Sequence, residues 1–230
     1  MSHDGSQQDV PQTPLEMLGI MGTSQAQLSP TLRQIEMYTT RGLLDIHWHE
    51  PAGSARNVGV IMVGGAMGGT LGPGDALFHA LGSALIDLGI PSIRLSYRKP
   101  NDMDACCVDL AAAVQMMVGS GADRVVLMGH SFGGAVAIRV AVGLSEMVAG
   151  VVTFATQSAG CEVAGGLQGK PLLMFHGDDD SILPAESSEV VRAIAGTGDL
   201  RIMPGDDHLL SRSHDVMFAD VLAFVGDVLG

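Results

Sequence analysis

The sequence has little charge, and positive charge is scarcest. Charged residues make up 16% of the 230 residues, and only Lys99 and Lys170 are lysines. The formal net charge at pH 7 is −13. A chain this acidic is repelled by the phosphates of nucleic acids and by anionic membrane surfaces. We therefore expect neither as a partner, although charge alone does not select a substrate.

Long apolar runs and a spaced set of cysteines are also missing. No run approaches the roughly 18 to 20 apolar residues that span a membrane, and the polar first residues lack the basic-then-apolar order of a signal peptide. Cys106, Cys107 and Cys161 form no even, spaced framework. A reduced, cytoplasmic compartment is the simplest interpretation. No spacing of cysteine and histidine resembles a zinc site.

Hydrophobic residues make up 47% of the chain, enough for a sizeable core in one domain. From residue 58 onward, apolar strand-like runs alternate with helical patterns, as when the run 58–63 precedes a predicted helix over 75–88. Such alternation predicts an α/β protein with a mainly parallel sheet covered by helices on both faces. Residues 1–28, rich in glutamine and serine, are expected to be a partly flexible extension, so the predicted domain covers 29–230.

The segment 125–139 carries the strongest motif. An apolar run leads into Gly129-His130-Ser131-Phe132-Gly133, which fits G-x-S-x-G, and a helix-like segment rich in small residues follows. Strand, sharp turn and helix in this order are the context in which this motif exposes a nucleophilic serine. A glycine-rich turn with an uninvolved serine is the alternative, since the chain has 31 glycines. The pattern predicts Ser131 as a nucleophile if the chain also supplies a base, an acid and an oxyanion hole.

The base and the acid are expected beyond the carboxyl ends of later strands, where ligands of parallel sheets bind. His208 follows the last short strand and is the candidate base, with His214 as its rival at the start of the closing helix. Asp180 is the candidate acid, which would orient the imidazole and stabilise its charged form. Its neighbours Asp178 and Asp179 are interpreted as a solvated turn.

An oxyanion hole needs two N–H groups aimed at one point. The amide of Phe132, immediately after the nucleophile, is one candidate. The other is expected in the glycine-rich loop 64–70, where Ala66 is the first choice and Met67 the second. This loop lacks the Lys-Ser/Thr ending of a phosphate-binding loop, and the sequence gives no sign of a cofactor.

His47 and His49 alternate along a predicted strand and share one face. A metal pair is conceivable there. Two histidines on the solvated face of an outer strand are the better interpretation, because no third ligand follows at a suitable spacing. We therefore expect no metal.

Four stretches together resemble the α/β-hydrolase superfamily, near its small dienelactone-hydrolase-like and carboxylesterase members. They are GGAMGG at 64–69, GHSFGG at 129–134, HGDDDSILP at 176–184 and PGDDH at 204–208. The resemblance implies an α/β-hydrolase fold and a triad of Ser131, Asp180 and His208, in the order usual for that fold. Two departures stand out: many relatives have His-Gly at 64–65, and dienelactone hydrolases proper have a cysteine at the position of Ser131. The serine favours esters over that named activity.

The resemblance also bears on access and function. Family members often insert a helical cap ahead of the acid strand, but here only the short segment 156–169 is available, so we expect no large cap and a shallow, open site. The expected activity is cleavage of small-molecule carboxylic esters through an acyl-enzyme on Ser131. The alternatives are a thioesterase or peptidase with the same triad, and a non-catalytic ligand-binding protein on this scaffold. The sequence does not indicate an oligomeric state and leaves a homodimer open.

Overall fold

The computed structural model describes residues 12–230. In this part of the chain, nine strands form a single sheet in the order β1-β2-β3-β5-β4-β6-β7-β8-β9. The strands are β1 (Ile20–Ser29), β2 (Leu32–Thr39), β3 (Gly42–His49), β4 (Val58–Val63), β5 (Ser92–Ser96), β6 (Arg124–His130), β7 (Val148–Phe154), β8 (Leu172–Gly177) and β9 (Asp199–Met203). The helices are α1 (Pro14–Met17), α2 (Pro73–Asp87), α3 (Met103–Gly119), α4 (Phe132–Gly143), α5 (Glu186–Ala195) and α6 (His214–Leu229), with a 3-10 helix at Ala164–Leu167.

The sheet is mostly parallel, as predicted. Strands β4 to β9 run parallel, and helices connect most of them in sequence. Strands β1, β2 and β3 form an antiparallel meander, and β3 pairs antiparallel with β5. Every residue of β4 is buried, because helices cover both faces of the parallel region. A strand in this position can therefore be apolar along its whole length.

Helices α3, α4 and α5 cover one face of the sheet, and α2 and α6 cover the other. Each face has its own apolar cluster, the first including Leu110 and Val136 and the second including Leu81 and Val221. Strand β4 lies between β5 and β6, so the chain reverses its direction of winding there. Loops that follow strands at such a switch point form a crevice at the carboxyl edge of the sheet.

The domain boundary predicted at residue 28 falls within strand β1. Residues 20–29 form β1, which pairs along its length with β2. Leu18 is buried, and its carbonyl accepts a hydrogen bond from Nη1 of Arg98 at 3.0 Å. Because every residue of β1 is exposed, this strand lacks the apolar pattern that would have predicted it. Residues 1–11 of the predicted extension lie outside the described part.

The environment predicted for His49 is wrong. Strand β3 is not an outer strand, since it lies between β2 and β5, and His49 is 1% exposed. Its Nε2 accepts a hydrogen bond from Nε of Arg94 at 2.9 Å. Nη1 of Arg94 donates to the carbonyl of Thr70 at 3.0 Å. His49 therefore helps to hold an arginine that anchors the glycine-rich loop.

The predicted helix over 75–88 corresponds to α2, whose first turn is irregular. Gly74, Asp75 and Ala76 have φ values of 56°, 55° and 64°, in the left-handed region that disfavours side chains. Two contacts hold this turn against the loop before α6. The amide of Gly74 donates to the carbonyl of Leu209 at 2.7 Å, and Nδ1 of His214 donates to the carbonyl of Gly74.

Candidate active site

Ser131 lies at the sharp turn between β6 and α4. Its backbone has φ 54° and ψ −117°, a strained conformation for a residue with a side chain. The turn brings strand and helix very close, since a Cβ on Gly129 would lie 2.0 Å from the carbonyl oxygen of Gly133. Only glycine fits position 129, and the strained turn directs the serine away from the strand.

Three predicted side chains meet in one hydrogen-bonded chain. Nε2 of His208 lies 3.0 Å from Oγ of Ser131, and Nδ1 of His208 lies 2.7 Å from Oδ2 of Asp180. A carboxylate can only accept at Nδ1, so it holds the proton on that nitrogen. Nε2 of a neutral His208 is then free to accept the proton of the Ser131 hydroxyl.

Asp180 is held as a carboxylate acceptor. Burial raises its pKa, but hydrogen bonds from the amide of Leu183, the ring of His208 and the amide of Ile182 outweigh burial and leave the pKa below its usual value. The two amides donate to Oδ1 at 2.9 and 2.8 Å. Hydrogen bonds to the charged form favour ionisation. Asp180 can therefore stabilise a positive charge on His208.

His176 supports Asp180, a contact that the sequence analysis missed. Its ring is fully buried at the end of β8, and Nε2 lies 3.2 Å from Oδ2 of Asp180 and 3.0 Å from the carbonyl of Leu183. Both partners are acceptors, so Nε2 carries a proton. Nδ1 lies 2.6 Å from Oγ of Ser188. The available sequence signal was the histidine that opens the H-G-x-x-D turn.

His130, to which the sequence analysis gave no chemistry, supports the His208 loop. Its Nε2 donates to the carbonyl of His208 at 2.9 Å. Burial lowers the pKa of His130 to about 4, so the ring is neutral near pH 7. The residue before Ser131 thus fixes the backbone of the residue that contacts the Ser131 hydroxyl.

The glycine-rich loop adjoins Ser131. A Cβ on Gly65 would lie 3.5 Å from Cβ of Ser131, and one on Gly133 would lie 2.2 Å from the carbonyl oxygen of Gly64. Within residues 12–230, the amides of Ala66 and Phe132 have no protein acceptor. An oxyanion hole requires two such unengaged N–H groups directed at one point.

The rival candidates lie outside the hydrogen-bonded chain of Ser131, His208 and Asp180. His214 is bonded to the carbonyl of Gly74. Asp178 accepts from the amide of Gly205 at 2.6 Å, and Asp179 is exposed. Cys161, in the segment between β7 and β8, is buried, and burial raises the pKa of its thiol to about 12, so the thiol stays protonated.

Access to Ser131 is not restricted by a large insertion. Between β7 and β8, the only helix in the described chain is the four-residue 3-10 helix Ala164–Leu167. This agrees with the expected absence of a large cap. Within residues 12–230, no helix has the length and apolar content needed to cross a membrane.

The comparisons with known proteins fit this geometry. The sequence model described as "Dienelactone hydrolase family" matches residues 93–209, just over half of the chain. The chain belongs to the dienelactone hydrolase family. The match covers the elbow, the acid turn and the base loop, so the predicted superfamily is confirmed and this family member is a hydrolase. A search of curated protein sequences gave no match.

Solved structures similar to this family member confirm the α/β-hydrolase fold. Est1E from Butyrivibrio proteoclasticus has a TM-score of 0.71 and 16% identity, covering 85% of this chain and 98% of its own. A dienelactone hydrolase from Anabaena variabilis has a TM-score of 0.72 and 15% identity, covering 86% and 97%. An α/β serine hydrolase without lid from Xanthomonas campestris has a TM-score of 0.68 and 18% identity, covering 88% and 97%.

Proposed function

We propose that this protein is a serine hydrolase that cleaves carboxylic esters of small molecules through an acyl-enzyme on Ser131. The observation that carries the proposal is the unbroken hydrogen-bonded chain from Ser131 through His208 to Asp180. The strained backbone of Ser131 supports it, because strain of this kind persists where the surrounding structure holds a functional group in place.

In the proposed reaction, Oγ of Ser131 attacks the acyl carbonyl while Nε2 of His208 takes its proton. Asp180 stabilises the imidazolium, and the amides of Phe132 and Ala66 bind the developing oxyanion. His208 then protonates the leaving alcohol. Water, activated by the same imidazole, hydrolyses the acyl-enzyme and restores the free serine.

Turnover of a p-nitrophenyl ester tests the proposal. We expect Ser131→Ala to lower kcat by roughly 10³-fold or more, and Asp180→Asn to lower it by a similar order because the wrong tautomer of His208 is stabilised. Ser83→Ala, on the exposed face of α2, is the matched control and should retain full activity. Unchanged turnover in Ser131→Ala refutes the proposal.

The thioesterase and peptidase alternatives are tested in the same experiment. The wild type is assayed against an oxygen ester, a thioester and an amide that share one acyl group. The proposal predicts the highest kcat/KM for the oxygen ester. A higher value for the thioester or the amide would move the assignment to that class.

A further inference from the structure

The loops that carry the proposed triad and oxyanion hole also carry highly exposed apolar side chains. Among the residues described, the five most exposed large apolar side chains are Met67 (92%), Met21 (69%), Ile182 (68%), Leu71 (59%) and Leu209 (55%). All but Met21 lie on those loops. We call Met67, Leu71, Ile182 and Leu209 the apolar rim.

Three members of the apolar rim are next to residues of the proposed site. Met67 follows Ala66 in the loop that adjoins the serine. The amide of Ile182 donates to Oδ1 of Asp180, and Leu209 directly follows His208.

Leu71 belongs to the same surface through the turn at the start of α2. The carbonyl of Leu71 accepts from the amide of Phe78 at 3.0 Å, and the amide of Gly74 donates to the carbonyl of Leu209 at 2.7 Å. These bonds hold the loop of Leu71 beside the loop of His208. The rim therefore draws on three separate loops that meet at one nucleophile.

Single exposed apolar side chains need no explanation, whereas several of them on the loops of one site point to a binding surface. None of the four has a packing role that would account for its position, because each is more than half exposed. An apolar group of a bound substrate would remove them from water. Each methylene buried in this way strengthens binding.

The charges on the same loops restrict the substrate further. In segments 64–76, 178–185 and 204–213, four exposed carboxylates stand against one guanidinium, which is bonded to the carbonyl of Gly205. The carboxylates belong to Asp75, Asp178, Asp179 and Asp207, and the guanidinium belongs to Arg212. An ester that carries its own carboxylate would be repelled by this arrangement.

We propose that the apolar rim binds the apolar group of the substrate, so that the enzyme selects uncharged esters with medium-length acyl chains. The inference rests on the proposed esterase function and specifies its substrate class. Because no large insertion lies between β7 and β8, such a chain would lie along the surface, partly covered rather than enclosed.

The test compares p-nitrophenyl butanoate with p-nitrophenyl octanoate, both kept below the concentration at which they aggregate. Four additional methylenes, each about half covered, predict a rise in kcat/KM of roughly tenfold. A p-nitrophenyl half-ester of a dicarboxylic acid should be turned over at least tenfold more slowly than the neutral ester of equal length. Equal rates for all three esters overturn the inference.

The double variant Met67→Ser/Ile182→Ser should reduce the octanoate-to-butanoate ratio to about threefold or less. Leu88→Ser removes a similarly exposed side chain, 49% accessible, from the far end of α2 and should leave the ratio unchanged. If the double variant keeps the wild-type ratio, the rim does not bind the acyl chain.

Labelling with a short-chain fluorophosphonate separates this inference from the proposed function. A labelled Ser131 with no chain-length preference refutes the inference alone. An unlabelled Ser131 in folded protein refutes the proposed function itself.

Discussion

Three histidines around the site have different surroundings, and these surroundings set what each can do. His208 contacts a carboxylate on one side and a hydroxyl on the other. His130 and His176 are buried and bonded to protein acceptors, so they support neighbours rather than face a substrate. A fourth histidine, His49, is buried far along the sheet against Arg94. Because His49 is buried, its protonation should affect the free energy of unfolding.

The stability of the protein should fall with acidification partly through His49. Burial, reinforced by the Arg94 guanidinium, lowers the pKa of His49 from 6.5 to about 3. Below pH 6.5 the unfolded chain binds a proton that the folded chain refuses, so stability is full above pH 6.5 and is lost as pH falls toward 3. At pH 5 the loss from this residue is about 2 kcal/mol relative to pH 7.

His49→Gln isolates this contribution, since glutamine keeps an acceptor for Arg94 and does not titrate. Urea unfolding at pH 7 and pH 5 should show that the variant loses about 2 kcal/mol less stability than the wild type. The difference between the two proteins should be constant between pH 7 and pH 8. Identical losses on acidification would show that His49 is protonated in the folded state.

At the scale of elements, the site depends on the close approach of α4 to the loop after β4. A Cβ on Gly133 would lie 2.2 Å from the carbonyl oxygen of Gly64, whereas one on Gly143, at the other end of α4, would meet nothing within 4 Å. Gly133→Ala should therefore cost roughly 3 kcal/mol or more and displace the oxyanion loop. Gly143→Ala should be neutral or stabilising by up to about 1 kcal/mol.

Thermal unfolding and ester turnover of the two glycine variants check this prediction together. Gly133→Ala should lose both melting temperature and activity, and Gly143→Ala should lose neither. If Gly133→Ala matches Gly143→Ala in both measurements, the helix and the loop are farther apart than described.

The sequence predicted those strands and helices whose pattern of apolar residues is determined by burial. The alternation after residue 58 gave the parallel sheet, because strands covered on both faces must be apolar. Strand β1 was not predicted, since all its residues are exposed. The left-handed turn at Gly74, Asp75 and Ala76 was also missed, because contacts from distant residues stabilise it.

The residues of the candidate site were easier to predict than the residues that hydrogen-bond to them. The short motifs around Ser131, Asp180 and His208 carry the local geometry that brings these side chains to one edge of the sheet. The partners of those residues are distant in sequence, as with the bond from His130 to the carbonyl of His208. Such contacts depend on the folded arrangement of loops and leave no pattern in a single sequence.

At the scale of the whole molecule, we propose that the folded unit begins ahead of β1. Leu18 is 1% exposed and joins the apolar cluster that includes α3 and α4. Leu18→Ala should cost about 2 to 4 kcal/mol, through lost burial and the cavity left behind. The segment before β1 would then belong to the core rather than to a flexible extension.

Met17→Ala is the matched control for Leu18→Ala, because its side chain is 50% exposed at the adjacent position. It should change the free energy of unfolding by less than about 0.5 kcal/mol. Equal and small effects in urea unfolding would indicate that the segment contributes nothing to the core.

The most direct test of an activated Ser131 is covalent labelling of the intact protein with a fluorophosphonate, read by mass spectrometry. We expect one adduct on the wild type, located on Ser131, and one on the Ser83→Ala control. We expect no adduct on Ser131→Ala. A folded wild type that gains no adduct, or an adduct that persists in Ser131→Ala, would contradict the claim that His208 and Asp180 activate this serine.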